Sequence, residues 1–110
     1  MRSIEYKAPE GFEGSAQLQV PKYTERLKII KNCNFSLGTE GEAQVTTDQL
    51  DSVIALIEGT KGYIKDVKIK HVESGAMAES FEDLEYSPEF DGLLVELCSS
   101  VLNAGQVGNS

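Results

Sequence analysis

The chain has 110 residues, 40% of them apolar, two cysteines, one histidine and a formal charge of −8. That length gives one domain with a single modest core, and the ordinary apolar content favours a globular state over a disordered one. The excess of acid argues against direct nucleic-acid binding, which needs a basic surface, and no apolar run approaches membrane-spanning length.

Ser3 to Ala8 alternates, with Ile4 and Tyr6 on one face, and reads as a strand. Pro9 to Gly14 holds a proline and two glycines and reads as a turn. Ala16, Leu18 and Val20 alternate with Gln17 and Gln19, so residues 16–20 complete an antiparallel hairpin. Pro21 ends it. Tyr23, Leu27 and Ile30 then recur at helical spacing, with Ile29 widening the stripe, which predicts a helix over 22–32.

Phe35 to Ala43, with Gly38 and Gly41, reads as a loop. Thr46 and Gln49 fit a capping box, and Val45 and Leu50 fit a hydrophobic staple across it. They open a helix over 46–60 whose expected apolar face is Leu50, Val53, Ile54 and Ile57, with Leu56 beside it. A third strand is expected over 66–72, where Val67 and Ile69 alternate with Lys68 and Lys70. His71 falls in register with the apolar pair, which suits a structural or surface role.

Ser80 and Asp83 fit a second capping box and start a short helical turn through Leu84 and Tyr86. The organising element follows. Phe90, Leu93, Leu94, Leu97, Cys98, Val101 and Leu102 form the apolar stripe of a helix over 88–103. Ser87 is its expected cap, Pro88 suits its first position, and Asn103-Ala104-Gly105 is its expected stop. A helix with such a stripe must dock on other surface to be stable. The expected fold is therefore α+β: a small antiparallel sheet, made of the N-terminal hairpin plus one later strand, packed with three to four helices. Residues 1–104 form the domain and 105–110 a flexible polar tail.

The charge is unevenly placed. Residues 1–71 carry ten acids and ten bases, whereas residues 72–110 carry eight acids and no Lys or Arg. A basic protein partner would suit the acidic third, and Glu82, Asp83, Glu85, Glu89, Asp91 and Glu96 are its candidate binding residues; a solvated acidic face is the plain alternative.

Catalytic constellations are not legible. Cys33 and Cys98 are 65 positions apart and form no CxxC pair, so two reduced thiols are expected. Zinc spacing, an alternating calcium-loop pattern and a phosphate loop are all missing from the sequence. The reading is a non-enzyme with no cofactor. The opening Met1-Arg2-Ser3-Ile4-Glu5 lacks a signal-peptide apolar region, which points to a cytoplasmic setting.

Several features coincide: the passage Leu18-Gln-Val-Pro21-Lys-Tyr23-Thr-Glu-Arg26-Leu27 into a first helix, a second helix, and a lysine-flanked strand. Then come Ser80-Phe-Glu-Asp-Leu84, Pro88-Glu-Phe-Asp91, a terminal amphipathic helix and the ending Gly105-Gln-Val-Gly-Asn-Ser110. This layout, over most of the chain, resembles the tail assembly chaperones of long-tailed bacteriophages. The resemblance implies a small helix-rich protein of the host cytoplasm that binds the tape-measure protein and keeps it soluble during tail assembly. It further implies self-association, no catalysis, and, in many members, a longer frameshifted form. No residue can be assigned a partner role from a family motif. Two other classes fit the same sequence: a structural virion or head–tail connector subunit, and an acidic inhibitor that mimics DNA with Glu79 to Glu96.

Overall fold

Strand β1 (Ser3–Lys7) and strand β2 (Phe12–Gln19) form the N-terminal hairpin, in an unbroken antiparallel register from Ser3 opposite Gln19 to Lys7 opposite Ser15. The computed structural model describes residues 2–33, 36–37, 43–44 and 50–107, with side chains within 2–33 and 50–103. The turn between β1 and β2 is tighter than the sequence suggests. The Phe12 N–H donates to the Pro9 carbonyl at 3.0 Å, and Gly11 supplies the positive φ of +94° that the bend requires. Strand β2 consequently starts at Phe12, not at Ala16, and Gly14 belongs to the strand.

Helix α1 (Tyr23–Cys33) buries Ile29, Ile30 and Cys33. Two-residue strands β3 (Ser36–Leu37) and β4 (Ala43–Gln44) pair with each other, which corrects the expectation of a plain loop at their ends. The expected capping box at Thr46 and Gln49, the staple residue Val45, and Gly38 and Gly41 lie outside the described residues.

Helix α2 (Leu50–Thr60) is rotated from its expected orientation. Its buried line is Ser52, Leu56 and Thr60, while Leu50 and Ile54 are exposed and Val53 and Ile57 are half-buried. Two local features permit this. The Thr60 hydroxyl donates to the Leu56 carbonyl at 2.7 Å, so a buried polar group is satisfied within the helix. Gly59 lets α1 approach closely, since a Cβ there would lie 3.2 Å from Cγ2 of Ile29.

A 3₁₀ turn (Lys61–Tyr63) leads into β5 (Ile64–His71), two residues earlier than expected. The register against β2 shifts between Ser15, opposite Lys68, and Gln17, opposite Lys65. The extra residue makes a bulge, and Asp66 there adopts a positive φ of 51°. The bulge resets the alternation so that Ile64, Val67 and Ile69 all point into the core. Strand β6 (Met77–Ala78) pairs with β5 and gives a four-stranded antiparallel sheet of order β1-β2-β5-β6, one strand more than expected.

Helix α3 (Phe81–Tyr86) is capped as expected. Ser80 Oγ accepts from the Asp83 N–H at 3.2 Å, and Asp83 Oδ2 accepts from the Glu79 N–H at 2.9 Å. Pro88 begins a separate 3₁₀ turn (Pro88–Phe90), and the Ser87 side chain makes no cap hydrogen bond, contrary to expectation. Helix α4 (Asp91–Val107) follows and runs past Gly105, so the expected helix stop is placed too early. Phe90, Leu93, Leu94, Leu97, Cys98, Val101 and Leu102 are all buried. They close one core with Ala16, Leu18, Ile64, Val67 and Ile69 of the sheet and Leu56 of α2. The sheet's other face carries Glu5, Lys7, Glu13, Lys65, Lys68 and Lys70, all exposed. The fold is thus a small α+β domain with its helices on one face of an antiparallel sheet.

Candidate functional site

The acidic third folds into three consecutive pieces: α3, the Pro88–Phe90 turn and α4. Leu84 anchors α3 in the core, and Phe90 anchors the turn, both fully buried. Glu82, Glu85, Glu89 and Asp91 are left on the solvent side. These four of the six candidate residues share one end of the sequence and project from adjoining elements.

The remaining two are engaged elsewhere. Asp83 is half-buried and spends a carboxylate oxygen on the Glu79 N–H, so it serves the helix start. Glu96 lies against Tyr6 of β1. Burial chiefly, and then the Glu96 carboxylate, hold the Tyr6 phenol above its ordinary range. Glu96, though exposed, is thus turned toward Tyr6 of β1.

Beside the exposed acids is an open cleft of about 530 Å³, lined by Lys61, Phe81, Glu82, Glu85 and Tyr86. Phe81, Glu82, Glu85 and Tyr86 lie at helical spacing that puts them along one side of α3. Phe81 is half-buried against the core and Tyr86 is 77% exposed. The sequence reading missed Phe81, Tyr86 and Lys61 as site residues. The available signal was the pairing of each aromatic with a neighbouring acid at i and i+4. An aromatic wall with two carboxylates suits a cationic side chain, which gains from the ring face and from the negative charge together. Lys61, from the turn after α2, offsets part of that charge.

The other titratable groups sit in structural settings. The His71 ring packs against Phe12 at 5.2 Å and Phe90 at 6.5 Å between centroids. Its Nδ1 lies 3.3 Å from the Ser74 N–H nitrogen and 2.7 Å from Ser74 Oγ. Cys33 and Cys98 are free thiols, both buried. Burial pushes Cys98 up to about 11; the Thr60 hydroxyl acts the other way, and the charges of Glu85 and Cys33 add to the rise. Burial raises Cys33 as well. A thiol so held is protonated and inert at neutral pH. Among the described residues no group of three His, Cys, Asp or Glu side chains could hold a metal ion, and no helix is long and apolar enough to cross a membrane.

Compared with known protein families, curated proteins and solved structures, the chain matches none.

Proposed function

We propose that this chain is a tail assembly chaperone of a long-tailed bacteriophage, acting in the host cytoplasm without catalysis to hold the helical tape-measure protein in solution. The observation that carries the reading is the cleft of Phe81, Glu82, Glu85 and Tyr86, flanked by the exposed Glu89 and Asp91, in a third of the chain without Lys or Arg. A basic amphipathic helix laid on this end sets its cations against the carboxylates and its apolar side against the aromatics. Charge alone is screened beyond about 8 Å at physiological salt, so it guides encounter and orientation while apolar contact supplies the holding energy. The layout of helices and strands given above agrees with that role.

The experiment is co-expression with the tape-measure protein of the same phage. The expected result is a larger soluble fraction of that protein and a complex recovered at low salt. Unchanged solubility with no complex refutes the proposal and favours a structural virion subunit, which would be found in finished particles.

A further inference from the structure

We propose that β1 is a self-association edge: it pairs antiparallel with β1 of a second copy, centred on Tyr6, and joins two four-stranded sheets into one. The proposal is carried by the open edge and its charges and does not rest on the chaperone reading.

Strand β1 ends the sheet order β1-β2-β5-β6, and among the described residues no strand lies on its outer side. The hydrogen bonds at the two ends of the hairpin fix which groups face out. The Ala8 N–H donates to the Gly14 carbonyl at 3.0 Å, and the Val20 N–H donates to the Arg2 carbonyl at 2.7 Å. Antiparallel ladders bond at alternate residues, so Arg2, Ile4, Tyr6 and Ala8 turn their main-chain groups toward β2. Ser3, Glu5 and Lys7 turn theirs outward. The strand is regular, with an unbroken register and no proline or bulge between Ser3 and Lys7. Edges are ordinarily blunted by such irregularities or by charged side chains. The charges of β1 are Glu5 and Lys7, one of each sign, which repel a strand of unmatched charge but leave a template for one that complements them. The opposite edge, β6, is only two residues long and offers no comparable template.

Charge selects the register. A two-fold pairing that uses the outward groups can centre on Ile4, Glu5 or Tyr6. Centred on Ile4, Glu5 stands opposite Ser3 of the partner subunit and forms no ion pair. Centred on Glu5, that residue faces its own copy, and like charges directly opposite are unfavourable. Centred on Tyr6, Glu5 stands opposite Lys7 of the partner subunit, and Lys7 opposite Glu5 of the partner subunit. Both ion pairs then lie on the exposed face of the sheet. On the helix-covered face, Ile4 comes opposite Ala8 of the partner subunit and Tyr6 opposite Tyr6 of the partner subunit. Ile4, Tyr6 and Ala8 are only half-buried in the single chain, so pairing completes the cover of an apolar strip. A contact of this size belongs to the weak, concentration-dependent class.

Sedimentation equilibrium of the full chain over a wide concentration range at low salt tests the proposal. The wild type is expected to show a reversible monomer–dimer equilibrium. Glu5→Lys and Lys7→Glu each set like charges opposite one another at two places, and each is expected to weaken the dimer about tenfold. An equimolar mixture of the two variants restores opposite charges at both places and is expected to regain wild-type affinity as a heterodimer. Both residues are exposed, and unchanged circular dichroism and thermal midpoints establish that each variant is folded. A wild type that stays monomeric overturns the proposal. So does a dimer indifferent to both single variants, or a mixture no tighter than either variant alone.

Discussion

Gly14→Ala probes the least forgiving contact of the sheet. Gly14 sits in β2 opposite Ile69 of β5 with a φ of +122°, a conformation that side chains other than glycine avoid. An added Cβ would run into the Lys68 carbonyl oxygen and stand 2.9 Å from its carbon and 3.0 Å from Ile69 Cα. The obstructing atoms are main chain, so no side-chain rotation relieves them. The backbone conformation alone costs about 1–3 kcal/mol. Relief of the clash requires β2 and β5 to separate, which weakens neighbouring ladder bonds worth about 1 kcal/mol each. We expect a loss of about 3–5 kcal/mol, in the tail reserved for named structural faults. Urea unfolding followed by far-ultraviolet circular dichroism measures it, as a fall in midpoint at constant slope. Gly11→Ala is the control: its φ is +94°, but nothing lies within 4 Å of its Cβ position, so only the conformational cost of about 1–2 kcal/mol applies. Equal losses at the two glycines, or a loss at Gly14 below about 0.5 kcal/mol, would refute the close approach of β2 and β5.

Three further outcomes are expected. Leu97→Ala should cost about 2–5 kcal/mol in the same unfolding assay, because Leu97 is fully buried among the sheet and the helices. Stability should fall on the alkaline side: the Cys98 thiol is raised from its ordinary 9.0 to about 11, so the unfolded chain releases that proton first. The contribution is therefore complete below pH 9 and is lost between about 9 and 11, by about 2–3 kcal/mol, and Cys98→Ala should flatten that part of the profile. Lys61→Glu should strengthen capture of the tape-measure protein at low salt, since it removes the cleft's cation; a weaker complex would mean the cation is part of the contact.

The hairpin, the extent of α1, the capped α3 and the stripe of α4 were legible because each carries its own local signal: alternation, helical spacing or a Ser–Asp cap. Within α1, Tyr23 of the expected stripe is exposed. The misreadings have physical causes of a different kind. Six apolar residues of α2 cover too much of its circumference for spacing to select a face; docking on α1 at Gly59 and the internal bond of Thr60 select it. The bulge at Asp66 shifts which residues of β5 point inward, and an aspartate at positive φ leaves no pattern in sequence. Gly105 is carried inside α4, since one glycine in a packed helix costs only about 1 kcal/mol. At the candidate site, sequence gave the acids as a group. The fold separates them, assigning Asp83 to a cap and Glu96 to Tyr6, and adds the aromatics of the cleft.

The most direct test of the central claim is the affinity of the purified chain for the tape-measure protein, measured at low and at physiological salt for the wild type and for Glu82→Gln/Glu85→Gln. Two exposed ion pairs at about 0.2–1 kcal/mol each predict a loss of about 2–30-fold at low salt, shrinking as salt rises. Tyr86→Ala should weaken binding at both salt levels, because apolar contact is not screened. An affinity that none of these substitutions moves, or no binding at all, would contradict the account.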